Sequence, residues 1–175
     1  MRLKPLSESR LTRDGLPPGT LAPPFRLTTL QGGDISLEQY RGRPVLLVFS
    51  DPACPPCSEL APRLERVHRA NGSAGLQILM VSRGTVADNE AKARASTICF
   101  PIALQRHWEL SRQYGIFGTP VAYLIDAEGF TAADVASGAD PILGLAGPKD
   151  VGLTFADQTQ TFTASLGFAN APNGG

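Results

Sequence analysis

Apolar residues run without interruption from Val45 to Phe49, and beyond a short loop the chain changes to a helical period. A continuous apolar run rich in β-forming residues is typical of a strand buried on both faces of a parallel sheet. The helical pattern begins at Pro55 and is expected to end near Asn71 and Gly72. Its apolar face carries Leu60, Leu64 and Val67, and its polar face carries Glu59, Arg63, Arg66 and Arg69. The pattern predicts a buried central strand that leads into a long amphipathic helix.

The rest of the chain alternates between strand-like and helix-like segments. Further strands are predicted at residues 25–29, 35–37, 76–81, 100–104, 118–126 and 131–136, and further helical segments at 37–40, 85–95, 108–114 and 141–146. The turn signal at residues 31–34 joins the first two of these strands into a hairpin. Because strands and helices alternate, we predict an α/β fold with right-handed crossovers.

Length and composition favour one domain of ordinary size, since 42% of the 175 residues are hydrophobic and can form a sizeable core. We assign this domain to residues 17–145. Residues 1–16 carry scattered charges without an apolar period, which predicts a flexible or loosely docked arm. Residues 146–175 are predicted to form a C-terminal tail, disordered or docked through its large apolar residues Phe155, Phe162, Leu166 and Phe168.

The charge balance excludes a general attraction to nucleic acid or anionic lipid, since 16 basic residues are matched by 16 acidic ones. No apolar run approaches the roughly 20 residues that cross a bilayer, and residues 1–20 lack the apolar segment of a signal peptide. We therefore expect no membrane span in this chain. Arg63, Arg66 and Arg69 predict a solvated helix face rather than a partner site.

Cys54 and Cys57 are separated by two prolines at the predicted start of the long helix. Unpaired N–H groups and the positive end of the helix dipole favour a thiolate, so the pKa of Cys54 is expected below the free-cysteine value of roughly 8.5. Cys57, one turn further in, is less accessible and can close back on Cys54. A redox centre is therefore predicted. The alternative is a zinc site, which needs a second ligand pair that Cys99, His68 and His107 do not supply at a suitable spacing.

Cys99 is the third cysteine of the chain and lies between Ile98 and Phe100. This apolar context predicts a small buried hydrophobic residue. A second redox thiol is the alternative.

Pro120 follows Thr119 at the start of a predicted strand. Proline is tolerated there because the first residue of a strand need not donate to the ladder. A cis bond between these residues would mark a deliberate turn, since only about 5–6% of X–Pro bonds in folded proteins are cis. An ordinary trans proline is the alternative.

An ordered set of motifs resembles the thioredoxin superfamily, and more closely its TlpA/ResA-like, redoxin-type thiol-disulfide oxidoreductases. The resemblance covers residues 17–138, with motifs at residues 19–25, 40–47, 114–120 and 123–129 and the centre Cys54-Pro55-Pro56-Cys57. A lone C-x-x-C is a weak signal, whereas this ordered set is specific. It implies a thioredoxin-like fold, in which helices flank a central mixed sheet that has an N-terminal β-hairpin and an inserted strand and helix.

The resemblance also implies roles for four residues. Cys54 would be the nucleophile, Cys57 the resolving thiol of the redox-active disulfide, and Pro120 a cis-proline facing that disulfide. The backbone of Thr119 would pair with an extended substrate segment, which is a form of strand addition.

Two positions depart from the family pattern. Ala53 stands where the family usually has tryptophan, which predicts a flatter, less apolar rim. Val48 stands six residues before Cys54, where thioredoxin has a buried acid. The proton of Cys57 must then leave by another route, and Asp51 is the candidate proton acceptor, with a turn-capping role as the alternative.

The resemblance implies a thiol-disulfide oxidoreductase that acts on cysteine-containing protein substrates. The Pro55-Pro56 pair resembles the centres of TlpA-like reductases and favours reduction, with oxidation as the alternative because the sequence does not fix the potential. The resemblance implies no cofactor and no metal, because electrons come from an upstream thiol reductant protein or a small thiol. A bacterial periplasm or cell-envelope setting is expected, with the cytoplasm as the alternative. Two other functions stay open: a peroxiredoxin-like peroxidase, which needs Thr or Ser where Asp51 stands, and a Sco-type copper chaperone, which uses a wider cysteine spacing and a distal histidine.

Overall fold

The computed structural model describes residues 15–147. The predicted N-terminal arm and C-terminal tail lie outside the described residues except at their inner ends. Among residues 15–147, no helix combines the length and the apolar character needed to cross a bilayer.

Seven strands form one mixed sheet in the order β2-β1-β5-β4-β3-β6-β7. They are β1 (Arg26–Thr29), β2 (Asp34–Ser36), β3 (Val45–Ser50), β4 (Gln77–Ser82), β5 (Ile102–Leu104), β6 (Val121–Ile125) and β7 (Ala136–Ser137). β4 pairs in parallel with β3 and with β5, whereas the other neighbours are antiparallel. The predicted mixed sheet is confirmed, and β1 and β2 form its N-terminal hairpin.

Three α-helices and one short 3₁₀ turn lie between these strands, and a fourth helix follows β7. The helices are α1 (Pro55–Asn71), α2 (Val86–Ala95), α3 (Glu109–Gln113) and α4 (Ala139–Ala146), and the 3₁₀ turn is Leu37–Tyr40. Thr85 caps α2 by accepting a hydrogen bond from the N–H of Asp88 at 3.1 Å. Each helical segment that the sequence predicts is therefore present, and α2 and β5 form an inserted helix and strand between β4 and α3.

β3 is buried along its whole length, as its continuous apolar run predicts. Successive side chains point to opposite faces of the sheet. Leu46 and Val48 pack with the apolar faces of α1 and α4. Leu47 and Phe49 pack on the other face, where the rings of Phe49 and Tyr114 are 5.4 Å apart. Because both faces are packed, the carboxyl end of β3 is a rigid base for the loop that follows it.

The predicted strand at residues 131–136 is wrong in its extent. Only Ala136–Ser137 forms β7, and Thr131 makes an isolated bridge to Ile125. The intervening residues 132–135 are Ala, Ala, Asp and Val. Alanine and aspartate have low β propensity, so this segment has little tendency to remain in the sheet.

Candidate active site

Cys54 lies in the loop between the end of β3 and the start of α1. It is the N-cap of α1, and its N–H donates to the carbonyl oxygen of Asp51 at 3.2 Å. Pro55 and Pro56 occupy the first two helical positions, where the N–H groups they lack would have no intrahelical partner. The local sequence thus places Cys54 at the positive end of a 17-residue helix.

Cys54 and Cys57 form a disulfide, and their Cα atoms are 5.2 Å apart. The N–H of Cys57 also donates to the sulfur of Cys54 at 3.2 Å. Cys54 is half-buried, whereas Cys57 is only 1% exposed. A sulfur atom from another molecule can therefore reach Cys54 but not Cys57.

Pro120 lies at the same edge of the sheet as the disulfide. β6 runs antiparallel to β3 with Val121 opposite Phe49, so β6 begins where β3 ends. The Thr119–Pro120 peptide bond is cis, the geometry that the resemblance implies. The carbonyl oxygen of Thr119 lies 3.6 Å from the sulfur of Cys54. Within residues 15–147 the N–H of Thr119 donates to no other group, so it is free for an added strand.

The carboxylate of Asp51 holds the loop before Cys54. Its Oδ1 accepts a hydrogen bond from the N–H of Ala53 at 2.9 Å, and its Oδ2 lies 3.4 Å from Nη1 of Arg83. The guanidinium of Arg83 lies 3.9 Å from the centre of the Trp108 ring, a cation–π contact that fixes its position. These contacts are those of the turn-capping alternative for Asp51. They do not test whether Asp51 also accepts a proton.

Lys92 reaches the same loop from α2, and the sequence reasoning did not single it out. Its Nζ donates to Oγ of Ser50 at 3.1 Å and to the carbonyl oxygen of Asp51 at 3.2 Å. Burial lowers the pKa of Lys92 to about 8, although the Asp51 carboxylate acts in the opposite direction. Lys92 follows the buried Asn89 by three positions, which places both residues on one face of the helix. This spacing was the sequence signal that Lys92 faces the protein.

Exposed apolar residues lie in the segments that adjoin Cys54 and Pro120 along the chain. Phe117, on the loop that leads to Pro120, is 64% exposed. Pro55 and Pro56 are exposed as well.

The prediction that Cys99 is a buried hydrophobic residue is wrong. Its side chain is exposed, and the neighbouring Phe100 occupies the buried position instead. The N–H of Cys99 donates at 2.8 Å to Oε2 of Glu65, a carboxylate that is itself buried. This bond fixes the backbone so that the thiol points outward. Glu65 follows the buried Ala61 by four positions, which is the sequence signal that was missed.

The two histidines do not join the cysteines in a metal site. In the part of the chain that the structure describes, no three His, Cys, Asp or Glu side chains come close enough together to hold a metal ion. His68 packs edge-on against Phe100, with ring centroids 5.9 Å apart. His107 is exposed in the connection before α3.

Comparison with known proteins gives one family and a consistent set of relatives. A family model described as the AhpC/TSA family matches residues 18–133. The thiol-disulfide oxidoreductase ResA of Geobacillus thermodenitrificans is 33% identical over 112 residues, which cover 63% of this chain and 64% of that protein. Sporulation thiol-disulfide oxidoreductase A of Bacillus subtilis is 28% identical over 109 residues, covering 60% and 66% respectively. The chain thus spans less than two thirds of these curated relatives.

A solved structure supports the same fold. The crystal structure of the thioredoxin domain of a thiol-disulfide oxidoreductase from Bacteroides vulgatus superposes with a TM-score of 0.66 and 26% identity. The match covers 74% of this chain and 96% of that one. The predicted thioredoxin-like fold is therefore confirmed.

Proposed function

This chain belongs to the AhpC/TSA family, and we propose that it is a thiol-disulfide oxidoreductase that reduces disulfides of partner proteins. The observation that carries the proposal is a disulfide at the N-terminus of α1 whose outer sulfur, that of Cys54, is half-exposed and whose inner sulfur, that of Cys57, is buried. The names of the curated relatives agree with this chemistry.

The reaction starts from the reduced pair. The Cys54 thiolate attacks one sulfur of the substrate disulfide and forms a mixed disulfide, while the second substrate sulfur leaves as a thiolate and takes up a proton. Cys57 then loses its proton and attacks the Cys54 sulfur, which releases the first substrate thiol. Two electrons pass to the substrate, and the Cys54–Cys57 disulfide forms. An upstream thiol reductant, a protein or a small thiol, returns the pair to the dithiol state.

Thr119 and Pro120 would seat the substrate. An extended segment carrying the target cysteine would accept a hydrogen bond from the free N–H of Thr119 and lie along the start of β6. Its sulfur would then approach Cys54, which lies beside the Thr119 carbonyl. Main-chain pairing of this kind does not depend on the substrate side chains, so one site can serve several partners.

Asp51 is proposed as the acceptor of the Cys57 proton. Because its carboxylate bonds to Ala53 and faces Arg83, accepting a proton would require one of these contacts to loosen during exchange. Asp51→Asn should then slow the release of the mixed disulfide severalfold at neutral pH, with the difference shrinking at higher pH. Stopped-flow kinetics of the second exchange step across pH would measure this. A pH profile unchanged by Asp51→Asn would restrict Asp51 to holding the turn.

The setting of the reaction is also proposed. The ResA-like resemblance suggests the bacterial periplasm or cell envelope, with cysteine-containing proteins as substrates. The proposed chemistry uses no resident cofactor, because the two sulfurs carry the electrons themselves.

Insulin reduction tests the proposal directly. With dithiothreitol as the reductant, the wild-type chain should accelerate insulin reduction, whereas Cys54→Ser should abolish the acceleration. Cys57→Ser should accumulate mixed disulfides with its protein substrates, because the resolving sulfur is absent. Failure of both results would overturn the proposal.

The same preparation separates the two alternative functions. Hydrogen peroxide consumption faster than insulin reduction would favour a peroxidase, although Asp51 stands where that chemistry needs Thr or Ser. Stoichiometric retention of Cu(I) by the reduced chain would favour a copper chaperone. We expect neither result.

A further inference from the structure

Resting on the proposed function, we infer that Lys92 is a positioning residue of the disulfide site, and that its ammonium fixes the turn before Cys54 and stabilises the Cys54 thiolate. The Asp51 carbonyl oxygen accepts two hydrogen bonds, one from the N–H of Cys54 and one from Nζ of Lys92, each at 3.2 Å. A single oxygen atom thus links the lysine charge to the backbone of the nucleophile.

The second hydrogen bond of Lys92 ties α2 to the base of the reactive loop. Nζ donates to Oγ of Ser50 at 3.1 Å, and Ser50 is the last residue of β3 and is 1% exposed. The ammonium therefore binds both Ser50 and Asp51, the residues at which β3 ends and the loop to Cys54 begins.

Stability alone does not account for a charge in this position. Both oxygens that bind Lys92 are uncharged, whereas the nearby carboxylates are engaged elsewhere: Asp51 with Arg83, and Asp88 with Thr85 at 2.6 Å. Removing an ammonium from water without a carboxylate partner costs free energy. A half-buried ammonium that forms no direct salt bridge, but binds the loop before a cysteine that must ionise, is explained by its effect on that cysteine.

The expected effect is a shift of the redox equilibrium toward the dithiol form. Reduction of the Cys54–Cys57 disulfide takes two electrons, and it takes one proton when Cys54 remains a thiolate. A nearby positive charge lowers the free energy of this thiolate, and thus of the reduced state, which raises the reduction potential. Arg83 and Lys92 both face the carboxylate of Asp51, and two cations beside one carboxylate leave a net positive charge at the loop.

Three substitutions test the inference. Lys92→Met removes the charge and keeps the length of the side chain, and Lys92→Arg keeps the charge. Arg94→Met is the control, because Arg94 lies on the same helix and its exposed guanidinium faces Glu90 at 3.8 Å. The midpoint potential is measured against glutathione. The thiolate absorbance of Cys54 is titrated in a Cys57→Ser background.

Lys92→Met should raise the pKa of Cys54 by about half a unit, a roughly threefold change in the thiolate equilibrium, because the ammonium reaches Cys54 through the Asp51 carbonyl and partly solvated surroundings weaken its effect. The potential should fall by about 15 mV, since a tenfold change corresponds to about 30 mV. Lys92→Arg and Arg94→Met should stay near the wild type.

Two results would overturn the role of Lys92. One is a wild-type pKa and potential in Lys92→Met, and the other is an equal shift in Lys92→Met and Lys92→Arg, which would exclude the charge as the cause. If the wild-type chain itself gave no reversible midpoint potential, the proposed function would fail instead, and the two failures are therefore distinguishable.

Discussion

At the scale of single residues, few polar groups surround the reactive sulfur. The sulfur of Cys54 contacts the N–H of Cys57 and the carbonyl oxygen of Thr119, and neither contact distinguishes one substrate from another. With Ala53 in place of a large aromatic residue, selectivity must come from other side chains near the loop. Phe117 is the large apolar side chain best placed to supply it, because it is exposed two residues before Thr119.

Phe117→Ser should therefore weaken exchange with protein substrates. Covering much of an exposed phenylalanine contributes roughly 1 to 2 kcal/mol, so we expect kcat/KM for insulin to fall by about tenfold, mainly through KM. Exchange with a small aromatic disulfide, which has no polypeptide to pack on Phe117, should change less than twofold. The matched control is Phe130→Ser, an exposed phenylalanine in the turn after β6, at the opposite edge of the sheet. Equal losses with both disulfides would show that Phe117 supports the loop rather than the substrate.

At the scale of elements, the helices and strands that depend on a local residue pattern were predicted from the sequence. The apolar run of β3, the proline-led start of α1 and the threonine cap of α2 each carry their signal within a few residues. The strand predicted at residues 131–136 is limited to Ala136–Ser137, because the alanine and aspartate residues before it have low β propensity.

The same distinction between local and long-range signals applies to the candidate site. Cys54, Cys57 and Pro120 stand in recognisable motifs, so the sequence placed them together. Helix-face spacing could have indicated that Lys92 and Glu65 face inward, but it does not identify what they contact. Their partners Asp51 and Cys99 lie 41 and 34 residues away in sequence, and no local pattern predicts a contact over that separation. The outward thiol of Cys99 follows from its contact with Glu65.

At the scale of the whole molecule, the residues of the candidate site lie at one edge of the sheet. The carboxyl end of β3 carries the loop to Cys54, the carboxyl end of β4 leads to Arg83, and the start of β6 carries Pro120. Parallel strands present their carboxyl ends at a common edge, which is where sites form in α/β sheets. The inserted helix α2 adds Lys92 to this edge, so the insertion contributes to the site as well as to the core.

A second contact fastens the inserted segment to α1, away from the disulfide. Glu65 of α1 accepts the N–H of Cys99 with Oε2 and Nε of Arg69 with Oε1, each at 2.8 Å. Burial alone would raise the pKa of Glu65, but the hydrogen bonds from Cys99 and Arg69 outweigh it and lower the pKa below its usual value of 4.5. A lowered carboxyl pKa stabilises the folded state above the pKa of the unfolded chain, and this contribution is lost as the pH falls through the folded-state pKa.

Glu65→Gln should therefore lower the free energy of unfolding by about 1 kcal/mol at pH 7, since hydrogen bonds to a charged acceptor become neutral ones. As the pH falls from 4.5 through the lowered folded-state pKa of Glu65, the difference should shrink toward zero, because the unfolded chain and then the folded carboxylate take up a proton. Urea denaturation of the oxidised proteins from pH 7 to pH 3 measures this, with Glu59→Gln, an exposed glutamate on the same helix, as the control. A difference that stayed constant across this range would show that Glu65 contributes through packing and not through its charge. The contact between α1 and the inserted segment would then not depend on pH, and the exposed thiol of Cys99 would keep its orientation at low pH.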